Sequence, residues 1–243
     1  MENVIDEQHI ASAYDRDLEA IQALIMKMGG LVEAAILNAI KSLDKRDEEL
    51  ALTVRKNDKS IDALEEQVNE EVARVIALRA PMGSDLRTVL SVMKIGANLE
   101  RVGDYSKNIA KRSSVLINMS PIEGAASAMR RMGKEVELML KDALDAYIQR
   151  DAELALDVIN RDRDVDQMYN ALFREFLTFM MEDPRNITAC MHLHFIAKNL
   201  ERMGDHVTNV AEQVIYLVTG QMPDEDRPKD DQTPYATHED ESP

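Results

Sequence analysis

This 243-residue chain has no tryptophan, one cysteine (Cys190) and an aromatic content of 4%. The single cysteine excludes an internal disulfide and a thiolate metal cluster, and it suits a reducing compartment. Scarce aromatics beside 15 methionines and many alanines argue against a sheet and for helices packed through flexible aliphatic side chains. No apolar run approaches the roughly 18 residues that cross a bilayer, and FLTFMM at 176–181 is far too short. The start, MENVIDEQHI, carries no basic segment followed by an apolar run, so no secretory signal is expected and the cytoplasm is the expected location. A formal charge of -16 excludes non-specific binding to nucleic acid or to an anionic membrane surface. It is compatible with divalent cations or with a partner presenting a basic surface.

Proline is nearly as scarce, and its positions give the plan. Before residue 220 it occurs only at 81, 121 and 184. Between these points apolar residues recur every three or four positions, as in Leu18, Ile21, Ile25, Met28, Val32, Ala35, Ala39 and Leu43. Gly29-Gly30 interrupts this first helix and is expected to weaken it locally. Asp47 is placed to cap a second helix that stops before Pro81, and a third runs from about Asp85 to about Arg112. The second half repeats the plan at an offset of 104: Met28-Gly29 matches Met132-Gly133, Asp47 matches Asp151, and Asp58/Asp62 match Asp162/Asp166. Helices are expected near 122–149, 152–182 and 185–218. The offset falls to 101 after the second helix, which predicts a second helix–helix turn three residues shorter in the second copy. The fold expectation is all-α, a tandem duplication of a three-helix bundle: 1–118, 119–220, then an acidic, disordered tail at 221–243.

The stretch NLERVGDYSKNIA, Asn98–Ala110, recurs as NLERMGDHVTNVA, Asn199–Ala211. Each copy carries two acids four residues apart, Glu100/Asp104 and Glu201/Asp205, which share a helix face. Small neighbours such as Gly96, Ala97 and Gly103 place that face beside the core seam, as a shallow groove. At 1.5 Å per residue, an antiparallel hairpin brings Asp58/Asp62 level with Glu100/Asp104, and Asp162/Asp166 level with Glu201/Asp205. Carboxylates so placed must protonate, find basic neighbours such as Arg101, Lys107 or Lys59, or recruit a cation. An oxygen-rich donor set with few His suits Mg²⁺, Mn²⁺ or iron, with zinc a further alternative. Asn98/Asn199 and Asn108/Asn209 are expected to bond either to the acids or from helix to helix. A di-metal carboxylate enzyme is the weaker reading, because neither copy has Glu-x-x-His.

Two repeats of NLERxGDxxxNxA, each closing a three-helix unit with an acidic pair on the preceding helix, resemble the PhoU family of phosphate-signalling regulators over about residues 10–220. The resemblance implies a cytoplasmic homodimer without enzymatic activity that restrains the phosphate-starvation response and phosphate uptake. It implies contact with the phosphate transporter's ATPase and with the sensor histidine kinase. It also implies multinuclear metal, iron foremost, held by Asp58, Asp62, Glu100 and Asp104 in one copy and by Asp162, Asp166, Glu201 and Asp205 in the other. A metal-free helical scaffold in phosphate homeostasis is the alternative.

Overall fold

The computed structural model describes residues 2–223, with side chains from residue 13 onward. Six helices follow in order: α1 Glu2–Lys45, α2 Glu48–Arg79, α3 Ser84–Leu116, α4 Ala125–Gln149, α5 Ala152–Glu182 and α6 Ile187–Thr219, with a 3-10 turn at Pro184–Asn186. They form two three-helix bundles, α1–α3 and α4–α6. From residue 224 onward, the acidic tail expected from the sequence lies outside the described residues.

The first turn of each bundle is built alike. Arg46 and Arg150, equivalent at the 104 offset, both take positive φ, 54° and 56°. Each is followed by an N-capping aspartate. Asp47 accepts from the Leu50 amide at 2.9 Å, and Asp151 from the Glu153 and Leu154 amides. The second turns differ from expectation. Residues 80–83 and 183–186 are equally long connections, so the three-residue difference between copies is absorbed at the ends of the flanking helices.

Gly29-Gly30 does not interrupt α1, which runs on through it. A Cβ at Gly29 would lie 2.5 Å from Leu144 Cδ1, and one at Gly133 would lie 2.6 Å from Ile40 Cγ1. Gly29 and Gly133 are equivalent positions, as are Ile40 and Leu144, so α1 and α4 cross antiparallel about a local two-fold relation. The other helix pair obeys the same relation. Along α3 and α6, Asn98 meets His206 and Arg112 meets His192, so residue numbers rise on one helix as they fall on the other. The two halves therefore share one continuous apolar core.

From Ala13 to Lys45, α1 is long and apolar enough to cross a membrane by length and composition, against the sequence expectation that nothing approaches this. Its apolar side, Ile21, Ile25, Met28, Val32, Ile36 and Ala39, is buried inside the protein, which accounts for the hydropathy.

Candidate functional site

The α2–α3 hairpin brings the first acidic pairs to one height. Asp58 is buried, and its Oδ2 lies 2.5 Å from the Lys107 ammonium, which also bonds Asp104 Oδ1 at 3.2 Å. Bonding to Asp58, and secondarily to Asp104, holds Lys107 charged well above the usual lysine range. Asp58 Oδ1 is buried without a hydrogen bond. Asp62 is exposed, and partial desolvation raises its carboxyl, with the Asp58 charge adding to the rise; partial burial likewise raises Glu100, with Asp104 adding to it. Arg101 stands 3.6 Å from Glu100 and 3.8 Å from Asp104, but its side chain is mostly exposed and water screens it. Lys107 is thus the cation that ties α2 to α3.

The α5–α6 hairpin is drier. Asp162, Asp166 and Glu201 are all buried, so the shallow groove expected at both copies is replaced here by an interior position; Asp205 is half-buried. The geometry depends on Gly204. A Cβ there would lie 2.6 Å from Asp162 Oδ1, so the missing side chain lets the carboxylate lie against α6. Its equivalent, Gly103, instead receives the Ile61 side chain at 3.0 Å. Lys198 bonds Glu201 Oε1 at 2.8 Å. Ala97 occupies the position equivalent to Lys198, and Thr208 that equivalent to Lys107. Each copy therefore draws its lysine from a different place, and the repeat pattern that reveals the acids is silent about these partners.

Two of the four repeated asparagines serve the seam between the motifs. Asn98 Oδ1 is hydrogen-bonded to His206 Nδ1 at 2.8 Å and accepts from Asn209 Nδ2 at 3.3 Å, while its amide donates to the Lys94 carbonyl. The Tyr105 ring packs 5.6 Å from that of His206. Of the two roles open to these asparagines, Asn98 and Asn209 take the helix-to-helix one; Asn108 is exposed.

Among the described residues, no three His, Cys, Asp or Glu side chains converge closely enough to hold a metal ion. In the first copy the Lys107 ammonium stands between Asp58 and Asp104, where a cation would have to bind.

A family model described as the PhoU domain matches residues 25–113 and 129–214. The phosphate-specific transport system accessory protein PhoU homolog of Zymomonas mobilis is 48% identical over 223 residues, covering 91% of this chain and 94% of that protein. The crystal structure of PhoU from Pseudomonas aeruginosa superposes with a TM-score of 0.82 at 40% identity, covering 86% of this chain and all of that one. The phosphate transport system regulatory protein PhoU from Streptococcus pneumoniae gives 0.81 at 31% identity, covering 87% and 99%.

Proposed function

The chain belongs to the PhoU family, and from that premise we propose that it is a non-catalytic helical scaffold that negatively regulates phosphate uptake and the phosphate-starvation response. The near full-length match to proteins named as accessory and regulatory components of phosphate transport carries this reading. It acts by contact. Its partners on this reading are the cytoplasmic ATPase of a phosphate transporter and the sensor histidine kinase, and it works in the cytoplasm as a homodimer. The scaffold needs no metal, because Lys107 and Lys198 already bridge or neutralise acids at the two hairpins.

The test is a starvation-promoter reporter in a deletion strain grown with excess phosphate. The reporter is expected to be on, and to be silenced by the wild-type gene. A reporter that stays off in the deletion strain overturns the regulatory reading.

One observation favours a second reading in which the hairpins take up a metal, iron first and manganese, zinc or magnesium next. The buried Asp58 Oδ1 lacks a hydrogen bond and is available to a cation if Lys107 swings out. Elemental analysis of protein purified without chelator and then remetallated decides it. At least one transition metal per repeat supports metal uptake, and less than about 0.2 per chain, below any stoichiometric site, excludes it.

A further inference from the structure

Where α1 crosses α4, these two helices and α5 enclose a half-open cavity of about 660 Å³, within the size range of small-molecule sites. Leu37, Ile40 and Met168 supply apolar lining, and Gly133 thins the wall on α4. The charged lining is cationic, in a chain whose net charge is -16. Lys41, Arg130, Arg131 and Lys134 face Asp44 and Glu135. Both acids are engaged already: Asp44 lies 3.5 Å from Arg130, and Glu135 lies 2.9 Å from Arg161. Lys134 pairs with Glu137. Among the described residues Lys41 has no ion pair, and Arg131 makes a hydrogen bond only to the Ser127 hydroxyl.

The duplication supplies an internal control. At the 104 offset, Asp145, Met26 and Gly30 stand where the cavity has Lys41, Arg130 and Lys134, while Lys27 stands where it has Arg131. The halves kept the glycine that lets α1 and α4 cross and both acidic hairpins. Of the four rim cations, only Arg131 has a basic equivalent, Lys27. Helix packing alone does not require Lys41, Arg130 or Lys134, because the equivalent crossing is made without a cation at those positions.

We propose that this cavity binds a small soluble organic anion, an apolar body seated on Leu37, Ile40 and Met168 with its phosphate, sulfonate or carboxylate between Lys41 and Arg131. An apolar enclosure strengthens charge-assisted hydrogen bonds at its mouth, and an apolar body supplies affinity that a bare anion lacks.

The test uses the full chain and 8-anilinonaphthalene-1-sulfonate, which joins an aromatic body to one sulfonate. Fluorescence titration is expected to show one saturable site per chain, displaced by monododecyl phosphate and not by inorganic phosphate. K41E/R131E is expected to weaken binding about tenfold, the loss of a charge-assisted contact. The matched reversal K27E/K141E, on the equivalent face, is expected to leave it unchanged. Thermal melts of both variants check that each is folded. Equal weakening by the two reversals, or displacement by inorganic phosphate as effective as by dodecyl phosphate, overturns the proposal. So does binding to phosphatidylglycerol vesicles that K41E/R131E abolishes, because the ligand is then a membrane headgroup.

Discussion

Asp58 and Lys107 form an ion pair across the first acidic hairpin, 2.5 Å from Oδ2 to Nζ, with the carboxylate buried and the lysine 42% exposed. Removing the lysine leaves an uncompensated charge inside the protein. Lys107→Met is therefore expected to destabilise the metal-free chain by about 1–2 kcal/mol, less than a wholly buried pair because water reaches the lysine side. Lys107→Met/Asp58→Leu is expected to recover most of the loss, since no charge remains to be desolvated. Urea denaturation of the two single variants and the double variant measures the coupling.

Glu100 behaves in the opposite sense. Burial, then the Asp104 charge, raises its carboxyl above the ordinary value. A carboxyl raised in the folded state costs stability above that raised value, and the cost fades as pH falls towards the unfolded range near about 4. Glu100→Gln is expected to stabilise the chain at pH 7, by less than about 1 kcal/mol, and to make no difference below pH ~4. Asp104→Asn is expected to show no such gain, because Asp104 bonds Lys107. Melting curves of both variants from pH 4 to pH 8 separate the two behaviours.

Glu33 and Glu137 are equivalent positions of the two copies, and they meet where α1 crosses α4. Burial raises the Glu33 carboxyl first, and its hydrogen bond to Glu137 raises it further. Glu137 is itself buried and paired with Lys134. Glu33 therefore holds its proton to a higher pH than an ordinary glutamate. Stability is expected to fall as pH rises through the raised Glu33 value. Glu33→Gln, which keeps a hydrogen-bond donor without the charge, is expected to flatten that fall, as read from denaturation midpoints across pH 5 to pH 8.

What could be read from the sequence was whatever the duplication repeats. Helix order, the Asp47 and Asp151 caps and the level acidic pairs all recur at fixed offsets, and each local signal has a local cause. The partners that complete the sites do not recur. Lys107 and Lys198 come from non-equivalent positions, so only the folded helices show which acids they reach. The burial of Asp162, Asp166 and Glu201 was hidden for a related reason. It depends on Gly204 admitting a carboxylate where Gly103 admits Ile61, and the two glycines look identical in sequence. The packing of one half against the other was equally hidden, because it is made by contacts between distant residues that no periodicity encodes.

That packing gives three adjacent glycine tests with three different answers. In each, alanine gains about 0.5–1 kcal/mol of helix propensity, so the sign depends on what the new methyl meets. At Gly30 it meets nothing within 4 Å, and Gly30→Ala is expected to show the full gain. At Gly29 it meets Leu144 Cδ1 at 2.5 Å, the far end of a side chain that can rotate away, and Gly29→Ala is expected to be near neutral. At Gly133 it meets Ile40 Cγ1 at 2.6 Å. That atom is fixed to the β-branched carbon of a residue with one strongly preferred helical rotamer, so it moves only if the helices do. Gly133→Ala is expected to cost about 1–2 kcal/mol net, from overpacking that outweighs the propensity gain. Adding Ile40→Ala removes the clashing atom, and the double variant is expected to lose less than the two single losses combined. Urea denaturation of the four single variants and the double one checks the order. A Gly133→Ala as stable as Gly30→Ala shows that α1 and α4 do not close on each other at this glycine.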